Sequence, residues 1–146
     1  FISEYLKVSD NLKFIWRFHP IYLGKEKKFI KKNFYDFDNF KKRIIISSNK
    51  LNDDIKMCKF ILYRGSTLVI KGLMNNVIPI NLDLDENFKN NFLIDSKILS
   101  NLETSKPENL DNLINNKNIK IILKNRKKIL NDYAIINNNI KINYFL

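Results

Sequence analysis

The sequence predicts an α/β fold in which a parallel sheet is covered by helices on both faces. Short apolar runs of strand length alternate along the chain with segments of helical length. This alternation is typical of βαβ units, whose buried parallel strands are apolar almost throughout because helices cover both faces of the sheet. The 146 residues suffice for one such domain, so we expect residues 1–146 to form a single domain.

Four strands are predicted in the first part of the chain. Each is a short apolar or β-branched run that is followed by polar residues or a turn. Pro20 stops the first of them, because proline lacks the backbone N–H that a strand ladder needs. The predicted strands are Leu12–Phe18, Arg43–Ile46, Phe60–Tyr63 and Val77–Leu82.

Helices are predicted between and after these strands. Asp53 and Asp54 stand near the start of one helix, where acidic side chains suit the helix dipole. A second helix has Pro107 in its first turn, where proline is tolerated. The predicted helices are Leu51–Cys58, Thr67–Asn75, Glu108–Asn115 and Ile119–Ala134; Lys25–Phe34 is either a helix or an irregular basic segment, and Ile140–Leu146 alternates like an edge strand. The right-handed crossover rule then gives a Rossmann-like layout.

The start of the chain predicts that sequence is missing upstream. Phe1–Leu6 has the pattern of an amphipathic helix that is already under way, and the chain has no initiator methionine. We therefore expect a domain that is truncated at its N-terminus.

Residue counts exclude several classes of protein. A single Cys excludes a disulfide framework within the chain, and a single His excludes the common metal centres built on several imidazoles. Neither GxGxxG nor a Walker loop is present, so the standard dinucleotide-binding and P-loop classes are excluded. We expect no metal and no cofactor.

The net charge of +11 has two interpretations. It invites a nucleic-acid partner, but only four of the 26 cations are Arg, which is the residue that clamps phosphates bidentately. A chain rich in Asn, Ile and Lys is also what an A+T-rich genome encodes. The densest groups are Lys25, Lys27, Lys28, Lys31 and Lys32; Lys41, Lys42 and Arg43; and Lys124, Arg126, Lys127 and Lys128. We expect no nucleic acid, while a basic surface also suits an anionic ligand or an anionic membrane face.

Two polar motifs follow strands of the predicted sheet. Arg17-Phe18-His19-Pro20 ends the first strand, and Tyr63-Arg64-Gly65-Ser66-Thr67 joins the third strand to its helix. Ligands of open α/β sheets bind beyond the carboxyl ends of the strands, and we expect these two strands to be neighbours.

Each motif has a functional and a purely structural interpretation. Gly65 lets a phosphate approach the backbone, and the hydroxyls of Ser66 and Thr67 and the charge of Arg64 add donors. The alternative is an ordinary helix cap that follows a turn glycine. His19 is either a general acid or phosphate donor, or a strand-end residue bonded to a backbone carbonyl.

The two motifs, in this order and with VIPI after them, resemble the nucleotide-sugar-binding half of GT-B-type glycosyltransferases. The similarity is greatest to bacterial surface-polysaccharide and sialyltransferase-like enzymes, and it covers residues 12–82 best. Their HP motif corresponds to His19-Pro20 and their Ser-Thr motif to Ser66-Thr67, both directed at the donor nucleotide. Ser47-Ser48, after the second strand, is a further pair on the nucleotide-binding side.

The resemblance implies a metal-independent enzyme in which His19 is catalytic. It implies that Arg17, Pro20, Ser47, Ser48, Tyr63, Arg64, Gly65, Ser66, Thr67 and Lys71 bind the nucleotide or its phosphate. The donor would be a CMP- or UDP-linked sugar, and a glycan or glycolipid acceptor would bind a missing N-terminal domain, so this chain alone would transfer nothing. The implied location is the cytoplasm, with peripheral association at the inner face of the membrane.

Two positions depart from the family pattern. Many GT-B donor domains have a Glu that holds ribose hydroxyls where this chain has Lys71, which places ribose recognition in doubt. Asn76 replaces a frequent glycine, and Asn tolerates the left-handed conformation that this glycine adopts. The alternatives to the enzyme are a non-catalytic anion- or nucleic-acid-binding α/β domain and a degenerate domain that keeps only the fold.

Overall fold

Each pair of neighbouring strands that the structure describes is parallel, which confirms the α/β class. The computed structural model describes residues 1–18, 23–34, 36–84, 102–115 and 118–136. Two compact units divide them: residues 1–18, 23–34, 36–58 and 105–113 form the first, and residues 59–84, 102–104, 114–115 and 118–136 the second. The predictions for His19, Pro20 and Ile140–Leu146 lie outside the described residues.

The first unit has a two-stranded sheet flanked by short helices. Its elements are α1 (Ile2–Val8), β1 (Phe14–Trp16), α2 (Leu23–Asn33), α3 (Phe37–Phe40), β2 (Ile44–Ile46), α4 (Leu51–Met57), a 3-10 turn (Pro107–Asn109) and most of α6 (Leu110–Ile114). Phe14 lies opposite Ile44 and Trp16 opposite Ile46. The apolar run of the predicted first strand pairs over three residues only, because β2 itself has three residues before the chain turns at Ser47.

Arg43, at the start of β2, holds the connection between α1 and β1. Its guanidinium donates to the carbonyl oxygens of Leu6, Ser9 and Leu12 at 2.6–3.2 Å, and to the Asp10 carboxylate at 2.7 Å. The planar fork of arginine suits several acceptors at once. Arg43, which the sequence groups with Lys41 and Lys42 as a basic cluster, therefore stabilises the fold and is not part of a free charged surface.

Tyr5 joins α1 to α6. Its hydroxyl donates to the Asp111 carboxylate at 2.6 Å, its side chain is fully buried, and its ring meets Phe14 edge-on at 5.6 Å. Burial, together with the Asp111 charge and hydrogen bond, raises the pKa of Tyr5 to about 12. The hydroxyl is therefore neutral at physiological pH and a firm donor to Asp111.

The second unit has a three-stranded sheet with two helices packed against it. Its elements are β3 (Phe60–Tyr63), α5 (Leu68–Met74), β4 (Ile78–Leu82), β5 (Glu103–Thr104) and α7 (Asn118–Ile136), in sheet order β3-β4-β5. Helix α5 packs against β3, β4 and α7. Strand β4 is central and has its first four residues, Ile78–Asn81, buried, which explains why all its residues except Asn81 are apolar.

The expectation that β1 and β3 are neighbours is wrong. Strand β1 pairs with β2, and β3 pairs with β4, so the two predicted motifs follow strands of different sheets. The lengths of α2, α4, α5 and α7 agree with the predictions to within about two residues at each end, as is usual for helix boundaries. Helix α3 and strand β5 are the elements that the sequence did not predict, since four and two residues carry no periodicity.

Gly72 allows α5 to lie close to β3. A Cβ atom at this position would clash with the terminal methyl of Ile61 on β3 and would lie 3.7 Å from Cβ of Val77. The glycine is buried, so the helix backbone itself forms part of the core.

Asn76 ends α5 in the left-handed conformation, with φ 64°. The Asn76 N–H donates to the Leu73 carbonyl at 3.2 Å and the Val77 N–H to the Gly72 carbonyl at 2.9 Å, the two bonds of a Schellman motif. The prediction that Asn76 adopts the conformation of a glycine is confirmed.

Asn76→Ala is expected to lower the free energy of unfolding by about 1 kcal/mol, because a side chain without a local hydrogen-bonding group is strained at positive φ. Asn76→Gly keeps the conformation and is expected to leave stability unchanged or slightly higher. Urea unfolding followed by far-UV circular dichroism measures both variants. Equal stabilities of the two variants would contradict the assignment.

Gly72→Val is expected to lower the free energy of unfolding by about 1–3 kcal/mol, since extra methyl groups must displace Ile61 and Val77 in a filled core. The matched control is Gly24→Val in α2, where a Cβ meets nothing within 4 Å. The control should change stability by no more than about 0.5 kcal/mol. A similar loss at both glycines would contradict the close contact as the cause, because the restriction of the unfolded chain that follows from replacing glycine by itself raises stability.

Candidate functional site

The carboxyl end of the first sheet carries a polar network centred on Asp54. Ser47, directly after β2, donates its hydroxyl to the Asp54 carboxylate at 2.6–2.7 Å, and Arg17, directly after β1, donates to the same carboxylate at 2.8 Å. Asn49 adds a weaker bond from its side-chain amide at 3.2 Å. Arg17 also donates to the Asn49 carbonyl at 2.7 Å. The network therefore joins the ends of both strands to α4.

Asp54 is charged although only 4% of its surface is exposed. Burial alone raises the pKa of a carboxyl group, but the hydrogen bonds from Ser47, Arg17 and Asn49, with the Arg17 charge, outweigh it. The pKa of Asp54 therefore lies below its ordinary value of 3.8. The adjacent Asp53 is exposed, so the two acids that the sequence places together on the helix dipole have different roles.

Three of the predicted nucleotide-binding residues lie at this end of the first sheet. Arg17 and Ser47 are both bonded to Asp54, and Ser48 is exposed beside them. An anion that binds Arg17 here meets a guanidinium whose charge Asp54 already balances. Their assignment to a nucleotide stays a prediction.

The carboxyl end of the second sheet carries a polar row across its three strands. Tyr63 on β3 lies opposite Asn81 on β4, and Asn81 lies opposite Glu103 on β5. Residues in register on neighbouring strands share a face of the sheet, and two strand spacings amount to roughly 10 Å. Asn81 is buried and donates its side-chain amide to the Glu103 carboxylate at 2.8 Å.

The turn Arg64–Thr67 follows directly from this row and leads into α5. Gly65 has φ 66°, the left-handed conformation that glycine adopts without strain. The Ser66 hydroxyl accepts the Leu68 N–H at 3.3 Å, while the side chains of Arg64 and Thr67 are exposed. Among the described residues, no acceptor meets the backbone N–H of Ser66 or Thr67. The turn therefore combines backbone donors, two hydroxyls and a guanidinium.

Lys71 lies on α5, one turn beyond Thr67, and its side chain is exposed. A cation there adds to the positive charge near the turn and supplies no acceptor for a sugar hydroxyl. The only carboxylate of the polar row is Glu103, on a strand that the sequence did not predict.

The sequence interpretation missed Asp54 and Glu103 as partners in these networks. Asp54 was assigned to the helix dipole, although its spacing of seven residues from Ser47 was visible and places it one helical turn into α4. Asn81 was visible as the one amide within an apolar strand, which is a signal for a buried hydrogen bond. No local pattern marks Glu103, because β5 pairs with β4 across more than twenty residues.

Neither a cluster of metal ligands nor a membrane-spanning helix occurs among the described residues. No three His, Cys, Asp or Glu side chains there come together as metal ligands. None of the helices described here is both long and apolar enough to cross a membrane.

Asp54→Ala is expected to lower the free energy of unfolding near pH 7 by about 3 kcal/mol, because Arg17, Ser47 and Asn49 all lose a charged acceptor. The control Asp53→Ala, at an exposed carboxylate, should cost no more than about 0.5 kcal/mol. Chemical unfolding at constant pH measures both. Equal losses would contradict the central position of Asp54.

The same network predicts acid sensitivity with a definite sign. Because the pKa of Asp54 is lower in the folded state, its stabilisation is complete above the ordinary value of 3.8 and is lost as the pH falls through the lower folded-state value. Hydrogen bonds from Ser9, Tyr5 and Asn11 also lower the pKa of Asp111, although burial opposes them. Asp111 therefore adds a second contribution of the same sign. The free energy of unfolding, measured between about pH 7 and pH 2, should fall less steeply with pH for Asp54→Ala than for the natural chain.

No protein-family model, curated protein or solved structure matches this chain. The α/β class with parallel strands rests on the fold itself. The polar groups at the carboxyl ends of the two sheets are the basis for inferring a function.

Proposed function

We propose that this chain is the donor-binding domain of a GT-B-type glycosyltransferase of surface polysaccharide or lipopolysaccharide synthesis, with a CMP- or UDP-linked sugar as its donor. The observation that carries the proposal is the turn Arg64–Thr67 at the carboxyl end of β3. Open α/β sheets bind ligands at this end of their strands. The resemblance of the two sequence motifs to those enzymes supplies the chemical class of the ligand.

The turn supports phosphate binding through several donors. Gly65 brings the backbone within reach, the N–H groups of Ser66 and Thr67 point to no protein acceptor among the described residues, and Arg64 adds charge. Helix α5 has seven residues, so its dipole is small and the N–H, hydroxyl and guanidinium donors must provide most of the attraction. Lys71 increases the positive potential on the same helix.

Glu103 is our candidate for the hydroxyl-binding role that Lys71 cannot perform. A carboxylate accepts hydrogen bonds from two adjacent hydroxyls, and Glu103 is only partly buried at the same end of the sheet as the turn.

In the proposed reaction the acceptor hydroxyl attacks the sugar carbon as the bond from that carbon to the donor phosphate oxygen breaks, and a base on the further domain takes the hydroxyl proton. The leaving phosphate takes up the negative charge, which the donors of the turn stabilise. A catalytic part for His19 is implied by the resemblance and is proposed on that ground alone. The acceptor would bind a further domain, so this chain alone binds donor and transfers nothing, in the cytoplasm or at the inner face of the membrane.

Titration with CMP and with UDP, followed by amide NMR of the labelled chain, tests this proposal. We expect one nucleotide to shift the amide signals of Arg64–Thr67, with a Kd of about 0.1–1 mM, because in the proposed enzyme this chain would supply only one side of a cleft between two domains. The pair Ser66→Ala and Thr67→Val should weaken binding at least about fivefold, since each hydroxyl contributes roughly 0.5–1.5 kcal/mol. Ser105→Ala, at an exposed serine of the first unit, is the control and should leave the Kd unchanged.

Absence of shifts at Arg64–Thr67 with both nucleotides would refute the proposal. Salt separates it from the alternative of a nucleic-acid-binding domain, because binding through many lysines weakens steeply with salt concentration whereas one nucleotide in a pocket responds mildly.

A further inference from the structure

Helix α2 carries an aromatic side chain on its solvent face. Phe29 is 66% exposed, and among the described side chains it is the one aromatic residue that is classed as exposed. Ile30, the next residue, is buried against the first unit, so α2 is anchored by one face and presents Phe29 on another. A single exposed ring is common on protein surfaces, so the residues around Phe29 decide whether this surface binds a partner.

Lysines lie along one side of Phe29 on the same helix. Lys25 and Lys32, four residues before and three after, share its face. Lys28, one residue before, lies about 100° round the helix, and Lys31, two residues after, lies nearly opposite Phe29. All four side chains are exposed. Helix α2 has one acid, Glu26, and no arginine. The surface therefore combines an exposed aromatic ring with lysines along one side of it.

An open apolar cavity lies beside Phe29. Its volume is about 310 Å³, and the rings of Trp16, Phe18 and Phe34 line it together with Phe29 and Ile30. Glu26 and Asn33 are its polar lining residues. Trp16 and Phe34 meet edge-on at 6.0 Å, so these rings form a fixed wall. The apolar surface around Phe29 therefore continues into the protein.

The charge and the apolar centre together identify the partner. Lysine ammonium groups bind the phosphates of nucleic acids and of anionic lipids alike. Nucleic-acid bases also stack on aromatic rings, but an apolar cavity beside the ring favours acyl chains, which bury apolar surface of any shape. Lysine stems also lie along apolar surface with their charged ends in the headgroup layer.

We propose that α2 docks this protein on the surface of an anionic membrane, with Phe29 entering the boundary between headgroups and acyl chains and Lys25, Lys28 and Lys32 held by the anionic headgroups. The proposal uses residues of the first unit alone. It stands whether or not a nucleotide binds the turn Arg64–Thr67.

Vesicle sedimentation of the full chain tests the proposal. The vesicles are phosphatidylcholine with about 30 mol% phosphatidylserine, and phosphatidylcholine alone for comparison. We expect partitioning into the anionic vesicles to be at least about tenfold stronger, and to fall as salt is raised. Trp16 is the only tryptophan of the chain and lines the cavity, so its emission should shift to shorter wavelength on binding.

Two pairs of variants separate docking by α2 from general attraction. Phe29→Ser should lower partitioning about tenfold, whereas Met57→Ser, at a side chain 65% exposed on α4, should leave it unchanged. Lys28→Gln with Lys32→Gln should lower it further than Lys124→Gln with Lys128→Gln on α7, a control with the same loss of charge.

Three results would overturn the proposal. They are an unaffected Phe29→Ser variant, equal losses from the two lysine pairs, and equal binding to both kinds of vesicle. Binding to a single-stranded RNA oligonucleotide without binding to anionic vesicles would also overturn it and would assign α2 to nucleic acid.

Discussion

The buried carboxylate of Asp54 is the constraint on which the first unit depends. A charge that is taken out of water is unfavourable unless donors replace the lost hydration, and here Ser47, Arg17 and Asn49 provide them. Each donor comes from a different point of the chain, so satisfying one carboxylate fixes where β1 ends, where β2 ends and how α4 begins. The same donors hold the pKa of Asp54 below its ordinary value.

The second unit reaches a defined geometry by a different means, since its decisive positions are backbone conformations. Gly72 brings α5 against β3, and Asn76 at φ 64° turns the chain from α5 into β4. Gly65 at φ 66° makes the preceding turn. These three backbone positions thus determine the geometry of the β3-α5-β4 unit. Helix α7 packs against α5 and β4.

The sequence predicted the elements that have a local signal and missed those that do not. Apolar runs such as Phe60–Tyr63 gave strands with correct bounds, and the helical repeat gave α7, because burial on both faces and amphipathicity leave periodic traces. The pairing of β1 with β2 depends on contacts between distant segments, so the expected neighbourhood of β1 and β3 was wrong. For the same reason Gly65–Thr67 was found as a polar turn, whereas Glu103, brought beside Asn81 by β5, was not.

The carboxyl ends of the two sheets differ in the groups that they can offer a ligand. At the first, the charges of Arg17 and Asp54 already neutralise each other, and an incoming phosphate would have to compete with a carboxylate held at 2.8 Å. At the second, the N–H groups of Ser66 and Thr67 meet no acceptor among the described residues, so none of those residues has to be displaced for an anion to bind them. An anion therefore gains more at the turn after β3 than at the end of β1. For this reason the proposed donor site rests on Arg64–Thr67, and Arg17 is better understood as the partner that keeps Asp54 charged.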